Sequence, residues 1–174
     1  MTSAAEAFTT LPDLAARLIG GSVIWANDEL FAQRQNLIKP GDAEFTPHTF
    51  GHTGQMYDGW ETRRRRDEGH DTAIIRLGAP GIIHGAVVDT SWFKGNYPSA
   101  ISLEAAYLPG YPSVDEVLAA DWTEIVPQTT ASGDTKNTYS VSDRSTYTHV
   151  RLGIHPDGGV ARLRIHGVAR PDPD

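Results

Sequence analysis

Cysteine is absent from the 174 residues, which excludes disulfide staples, thiolate nucleophiles and cysteine-based zinc sites. No apolar run approaches the roughly 18 residues that span a bilayer. The first residues lack a basic stretch followed by an apolar one, so no secretory signal is expected and the cytoplasm is the default location. An excess of positive charge is missing as well. Lys and Arg number 15 against 22 Asp and Glu, a formal net charge of −7, whereas a nucleic-acid scaffold carries a basic face. Neither a nucleic acid nor a membrane is expected as partner. No internal repeat and no low-complexity segment is visible. Hydrophobic residues make up 39% and charged residues 21% of the chain, with a mean hydropathy of −0.36. That profile excludes disorder, collagen and coiled coil. The length predicts a single domain over residues 1–174, with 1–9 and 169–174 as loose tails.

Helical patterning is scarce. Residues 10–18 read as a short helix, with Leu11, Leu14 and Leu18 on one face and Thr10 with Asp13 resembling a capping box. Residues 113–120 read as a second, with Ser113 and Glu116 as the capping box and Val114, Val117 and Leu118 as its stripe. Strands dominate elsewhere. Residues 22–25 form a short candidate. Apolar runs at 72–77 and 82–89 are separated by Ala79-Pro80-Gly81, which reads as a turn. Ile101, Leu103, Ala105 and Tyr107 alternate with polar or small residues, as do Val150, Leu152 and Ile154, and Ala161, Leu163 and Ile165. Period two gives one buried and one wet face, the habit of antiparallel sheets. Pro156-Asp157-Gly158-Gly159 reads as a hairpin turn between the last two strands, and 122–126 and 137–141 add two further candidates. The sum predicts an all-β fold, an antiparallel β-sandwich of the jelly-roll kind with two small helices. Leu103, Leu152, Leu163, Ile165 and Val87 are expected inside.

Two segments carry most of the chemistry. The first is Asp58-Gly59-Trp60-Glu61-Thr62-Arg63-Arg64-Arg65-Arg66-Asp67-Glu68-Gly69-His70-Asp71. Arginine's planar fork matches a carboxylate bidentately, and Glu61, His70 and Asp71 are available for proton transfer. A solvated charge run neutralised by Asp67 and Glu68 is the plainer alternative. The run leads straight into an apolar strand, however, so some of its arginines must sit against the sheet. The second segment is Asp89-Thr90-Ser91-Trp92-Phe93-Lys94-Gly95-Asn96-Tyr97-Pro98, at the end of a strand where loops meet ligands. Lys94, Asn96 and Thr90 suit an anion or a ureido group. The plainer reading makes Asp89 a cap on backbone amides at a tight turn, with Trp92 and Phe93 in the core. His48 and His52 have a spacing that binds metal on a helix, but Pro47 and Gly51 argue for a loop and no third ligand is near. Asn27-Asp28-Glu29 offers oxygens to calcium and reads equally as a turn. His155 and His166 fall on wet strand faces.

Together these segments resemble the allantoicase family. The likeness rests on 58–66, Gly69-His70-Asp71, Val88-Asp89-Thr90-Ser91 and Phe93-Lys94-Gly95-Asn96-Tyr97-Pro98. It is supported by Asn36-Leu37-Ile38, Thr148-His149-Val150-Arg151-Leu152 and Pro156-Asp157-Gly158-Gly159, and covers about residues 18–168. The resemblance implies a galactose-binding-like jelly roll and the hydrolysis of allantoate to ureidoglycolate and urea in purine breakdown. It also implies two copies of this domain per chain, of which the present sequence is most like the first. A homo-oligomer with a dimer as minimal unit, burying at least about 1,000 Å² in total, is therefore expected. Two alternatives are a non-catalytic jelly-roll binding module and a structural subunit lacking its second repeat.

Releasing urea from allantoate needs a carboxylate clamp, a base for water and an acid for the leaving nitrogen. The catalytic candidates are Glu61 or Asp89 as base and His70 or Lys94 as acid. Arg63 or Arg64 is the expected clamp, and Asp58, Trp60, Thr90 and Asn96 complete the substrate-binding set. No cofactor is identified; a divalent metal would activate the water, but no ligand constellation points to one. The expectation to test is that Arg63, Arg64, Glu61, Asp89 and Lys94 converge on one concave site.

Overall fold

The computed structural model describes residues 7–47, 50–51, 54–55 and 57–171. Strands dominate. They are β1 (Ser22–Ala26), β2 (Phe50–Gly51), β3 (Gly54–Gln55), β4 (Trp60–Glu61), β5 (Asp71–Asp89), β6 (Ala100–Ala106), β7 (Thr123–Thr130), β8 (Lys136–Ser140), β9 (Thr146–His155), β10 (Gly159–Val160) and β11 (Arg162–Ala169). Helix α1 spans Val114–Leu118. The two halves of β5 serve different layers. Its first half pairs with β1 and β9, in a layer ordered β1-β5-β9-β6-β7. Its second half lies between β8 and β11. Every pairing is antiparallel.

The core lies between these layers. Ala73, Ile75 and Leu77 face it from the first half of β5, then Ile83, Ala86 and Val88 from the second. The facing parity changes at His84, where β5 has one residue more than β11 between the pairs Gly85–His166 and Ile83–Gly167. Such a bulge re-aims every following side chain. Leu103, Leu152, Leu163 and Ile165 are fully buried in this core. Val87 is buried too, but it is not part of this cluster, because Ala86 and Val88 on either side take the inner face.

Three local expectations are corrected. Residues 10–18 are not a helix but two single 3₁₀ turns, Phe8–Thr10 and Arg17–Ile19. The intervening backbone is tied to β11: Leu14 N donates to Ile165 O at 2.7 Å, and Asp13 Oδ1 accepts from the amides of Ala15 and Ile165. Long-range pairing thus outcompetes a weak local preference. The segment 79–81 is not a turn but lies inside β5. Gly81 there faces Tyr147 on one side and Ala169 on the other, so neighbours supply the order that Pro-Gly lacks locally. Residues 156–159 do not make a hairpin, because β9 and β11 do not pair with each other; the chain instead passes through β10, which pairs with β4. The expected helix at 113–120 forms as α1, and Ser113 and Glu116 build its capping box. His48 and His52 lie outside the described residues.

Candidate functional site

The site is built where four remote stretches of chain meet. Trp60 is completely buried, with its Nε1 donating to Asp28 O at 2.8 Å. This anchor holds β4 between β10 on one side and Ala32 on the other. Thr62 N donates to Gly158 O at 3.0 Å, and Arg65 N donates to Asp157 Oδ2 at 2.8 Å. The 156–158 connection therefore fixes the course of the arginine run. It also fixes the second segment, because Gly159 N donates to Asn96 O at 2.7 Å.

Glu61 and Asn96 consequently meet across 35 positions: Asn96 Nδ2 donates to Glu61 Oε1 at 2.8 Å. Burial raises the Glu61 carboxyl above its ordinary range, and the Asn96 hydrogen bond offsets part of that rise. A half-buried carboxyl with a raised pKa holds a proton more readily than an exposed one, which suits it to take up and return a proton. It lines a cavity of about 460 Å³ together with Phe31, Thr62, Arg64, Asn96 and Asp157. Phe31 and Arg64 are shared with a second cavity of about 670 Å³, lined further by Asn27, Asp28, Asp71 and the rest of the arginine run.

The four arginines have separate fates. Arg63 pairs with Asp28 Oδ2. Arg65 is spent on Asp71, its Nη1 lying 2.6 Å from Oδ1. Arg64 and Arg66 are exposed and make no ion pair among the described residues. Arg64, on the wall between the two cavities, is thus a guanidinium free to meet a carboxylate. Asp71 is 1% exposed. Its Oδ1 also accepts from Asn27 Nδ2 at 2.8 Å, whereas Oδ2 has no hydrogen-bond partner among the described residues. A buried carboxylate oxygen left in this state calls for an N–H or O–H donor.

Other expected site residues lie elsewhere. Asp58 accepts from Arg162 Nη2 at 2.8 Å, from Lys39 Nζ at 3.0 Å and from Glu44 N at 3.0 Å. Although burial raises its carboxyl, these donors together bring it down to about 2. Asp89 is 2% exposed and its Oδ1 accepts from Ser91 N and Ser91 Oγ, so it caps the turn and lines neither cavity. Thr90 is buried and donates to Ser132 O at 2.6 Å. His70 stacks on His155 with ring centroids 4.4 Å apart, also outside the two cavities. Lys94 is exposed and lines neither. The expected five-residue convergence therefore reduces to Glu61 and Arg64 around one cavity, with Arg63 next door. Phe31, Asp71 and Asp157 join them. Among the described residues no three His, Asp or Glu side chains gather as metal ligands.

A family model described as the Allantoicase repeat matches residues 12–170. The chain belongs to the allantoicase family. Its sequence is 56% identical over 172 residues to the "Probable allantoicase" of Nocardia farcinica, covering 98% of this chain and 52% of that relative. The crystal structure of the allantoicase of Saccharomyces cerevisiae superposes with a TM-score of 0.74 at 34% identity, over 91% of this chain and 44% of that one. The chain thus spans about half the length of the allantoicases it matches. A family 32 carbohydrate-binding module from C. perfringens NanJ, solved with galactose, superposes at a TM-score of 0.60 over 88% of this chain and 97% of the module, at 10% identity. That likeness concerns the fold, and the jelly-roll expectation stands.

Proposed function

We propose that this allantoicase repeat hydrolyses allantoate to ureidoglycolate and urea, as one step of purine breakdown. The observation that carries the reading is the Glu61 carboxyl, half-buried and held by Asn96, one wall away from the unpaired Arg64. Allantoate places a carboxylate and two ureido groups on one carbon. Arg64 receives the carboxylate through paired N–H donors. One ureido group enters the Glu61 cavity, where the Asn96 amide orients it. The other lies in the larger cavity, its N–H directed to the vacant Oδ2 of Asp71. Glu61 takes a proton from water, whose hydroxyl bonds to the central carbon. The carbon–nitrogen bond to the leaving ureido group breaks, and Glu61 returns the proton to that nitrogen, releasing urea. The substrate is thus a small organic anion. We further propose that copies of the chain assemble as homo-oligomers, with a dimer as the minimal unit.

The test is urea release from allantoate by the purified chain, with and without added divalent metal. Glu61→Gln should lower the rate about 100-fold or more, the usual worth of a general base, while leaving the unfolding midpoint in urea unchanged. Wild-type rates in that variant, or no urea from the wild-type chain in any of these conditions, would overturn the reading.

A further inference from the structure

A third cavity, also polar, lies at the far end of the first half of β5. Arg76 is five residues along this strand from Asp71, about 17 Å when extended, and sits opposite His149 of β9. The cavity holds about 430 Å³ and is walled by Arg76, His149, Leu77, Leu108, Pro109 and Tyr111. Among the described residues no Asp or Glu lines it. Arg76 has no ion pair among the described residues; its guanidinium lies over the Tyr111 ring, 5.2 Å from the centroid. His149 is 1% exposed, and its Nε2 has no hydrogen-bond partner among the described residues.

The neighbouring hydroxyl decides which way that nitrogen works. Thr148 Oγ1 already accepts from Leu108 N at 2.8 Å. It has one proton to give, and three acceptors are near: His149 Nδ1 at 2.8 Å, Ala106 O at 3.2 Å and Leu108 O at 3.3 Å. Given to the nearest, that proton makes Nδ1 an acceptor and leaves the ring proton on Nε2. Burial, helped by the charge of Arg76, holds the imidazole down to about 4, so the ring is neutral and its tautomer matters. Two side chains able to donate, one of them cationic, therefore line a cavity together with Leu77, Leu108, Pro109 and Tyr111. A buried N–H left without an acceptor is unfavourable, and an occupant with a suitable oxygen would satisfy it.

We propose that this cavity binds a small monocarboxylate with a compact apolar body, one oxygen on Arg76 and the other on His149 Nε2. Two donors match the two oxygens of a carboxylate, whereas a phosphate dianion would find a single positive charge. Leu77, Leu108 and Pro109 receive the apolar body. Tyr111, 90% exposed, forms a solvent-facing wall of the cavity. The site is separate from the Glu61 cavity, and occupancy there does not require turnover.

The experiment is a titration of the ¹⁵N-labelled chain with isobutyrate, read at the imidazole nitrogens of His149 and at Arg76 Nε. The neutral isostere isobutyramide is the control. A proton on Nε2 in the free protein and saturable shifts at both residues with isobutyrate are expected. Arg76→Gln, at a half-buried position, should weaken that binding roughly ten-fold or more, the worth of one charged hydrogen bond. Any of three results would overturn the proposal: a proton on Nδ1 in the free protein, shifts that never saturate, or an equal response to isobutyramide. Saturable binding that survives Arg76→Gln unchanged would overturn it as well.

Discussion

Replacing Asp58 by Asn tests whether this residue serves the fold or the substrate. Its carboxylate is the counter-charge of Arg162, whose side chain is 2% exposed. The remaining Arg162 bonds run to backbone carbonyls of Gly41, Ala161 and Asp58, so the substitution leaves a buried cation with no carboxylate. Removing one partner of a fully buried pair typically costs about 3–5 kcal/mol. Asp58 is partly open to water and an Asn amide oxygen can still accept, so about 2–3 kcal/mol is expected near neutral pH. The pH dependence is the sharper part. The folded pKa of Asp58 is lowered from 3.8 to about 2, so its stabilisation is complete above the unfolded value. It is lost as pH falls through the folded value. Discounted for solvent on the open side, that linked part is about 1–2 kcal/mol. Urea unfolding of both proteins at a series of pH values measures it. The stability gap should be widest above about pH 5 and should narrow between about pH 4 and pH 2. A gap below about 0.5 kcal/mol near neutrality, the scatter of ordinary surface substitutions, would refute the reasoning. So would a gap that stays constant on acidification.

Two further substitutions probe what positions the site. A Cβ added at Gly59 would lie 2.5 Å from Val160 O and 2.7 Å from Ala161 Cα. Because both are backbone atoms, Gly59→Ala should destabilise the chain by about 2 kcal/mol and depress urea release by displacing β4; a variant of wild-type stability and rate would contradict this. Ser113→Ala removes the hydroxyl that accepts from Glu116 N at 3.2 Å and should cost about 1 kcal/mol by thermal or urea unfolding, with no effect on urea release.

The strands that were legible in the sequence are those with one wet face. β6 and β9 show clean alternation because Ser102, Glu104, Arg151 and His155 occupy the outer side of strands whose inner side is buried. β5 was harder, since Ile74 and Val87 are buried on its outer side as well, giving an apolar run with a Pro-Gly break that only its neighbours span. The site divides similarly. Glu61, Asn96 and Arg64 were readable as residue types in dense polar segments. Asp71 was readable in the same segment as Glu61, but Phe31 and Asp157 were not placed with them, because what brings them together is the bridge from Ala32 to Glu61 and the bond from Arg65 N to Asp157, which join residues 29 and 92 positions apart. Asp89 and Thr90 looked functional because their residue types suit chemistry, yet the turn they build consumes both side chains.

The length of β5 has a mechanical consequence. A sandwich whose layers are made from separate strands can slide or part along the plane between them. Here one continuous strand of 19 residues belongs to both layers, so it acts as a pin through the two plates. It carries Asp71, beside the arginine run, at one end and the turn held by Asp89 at the other. Shear between the layers would bend this strand first.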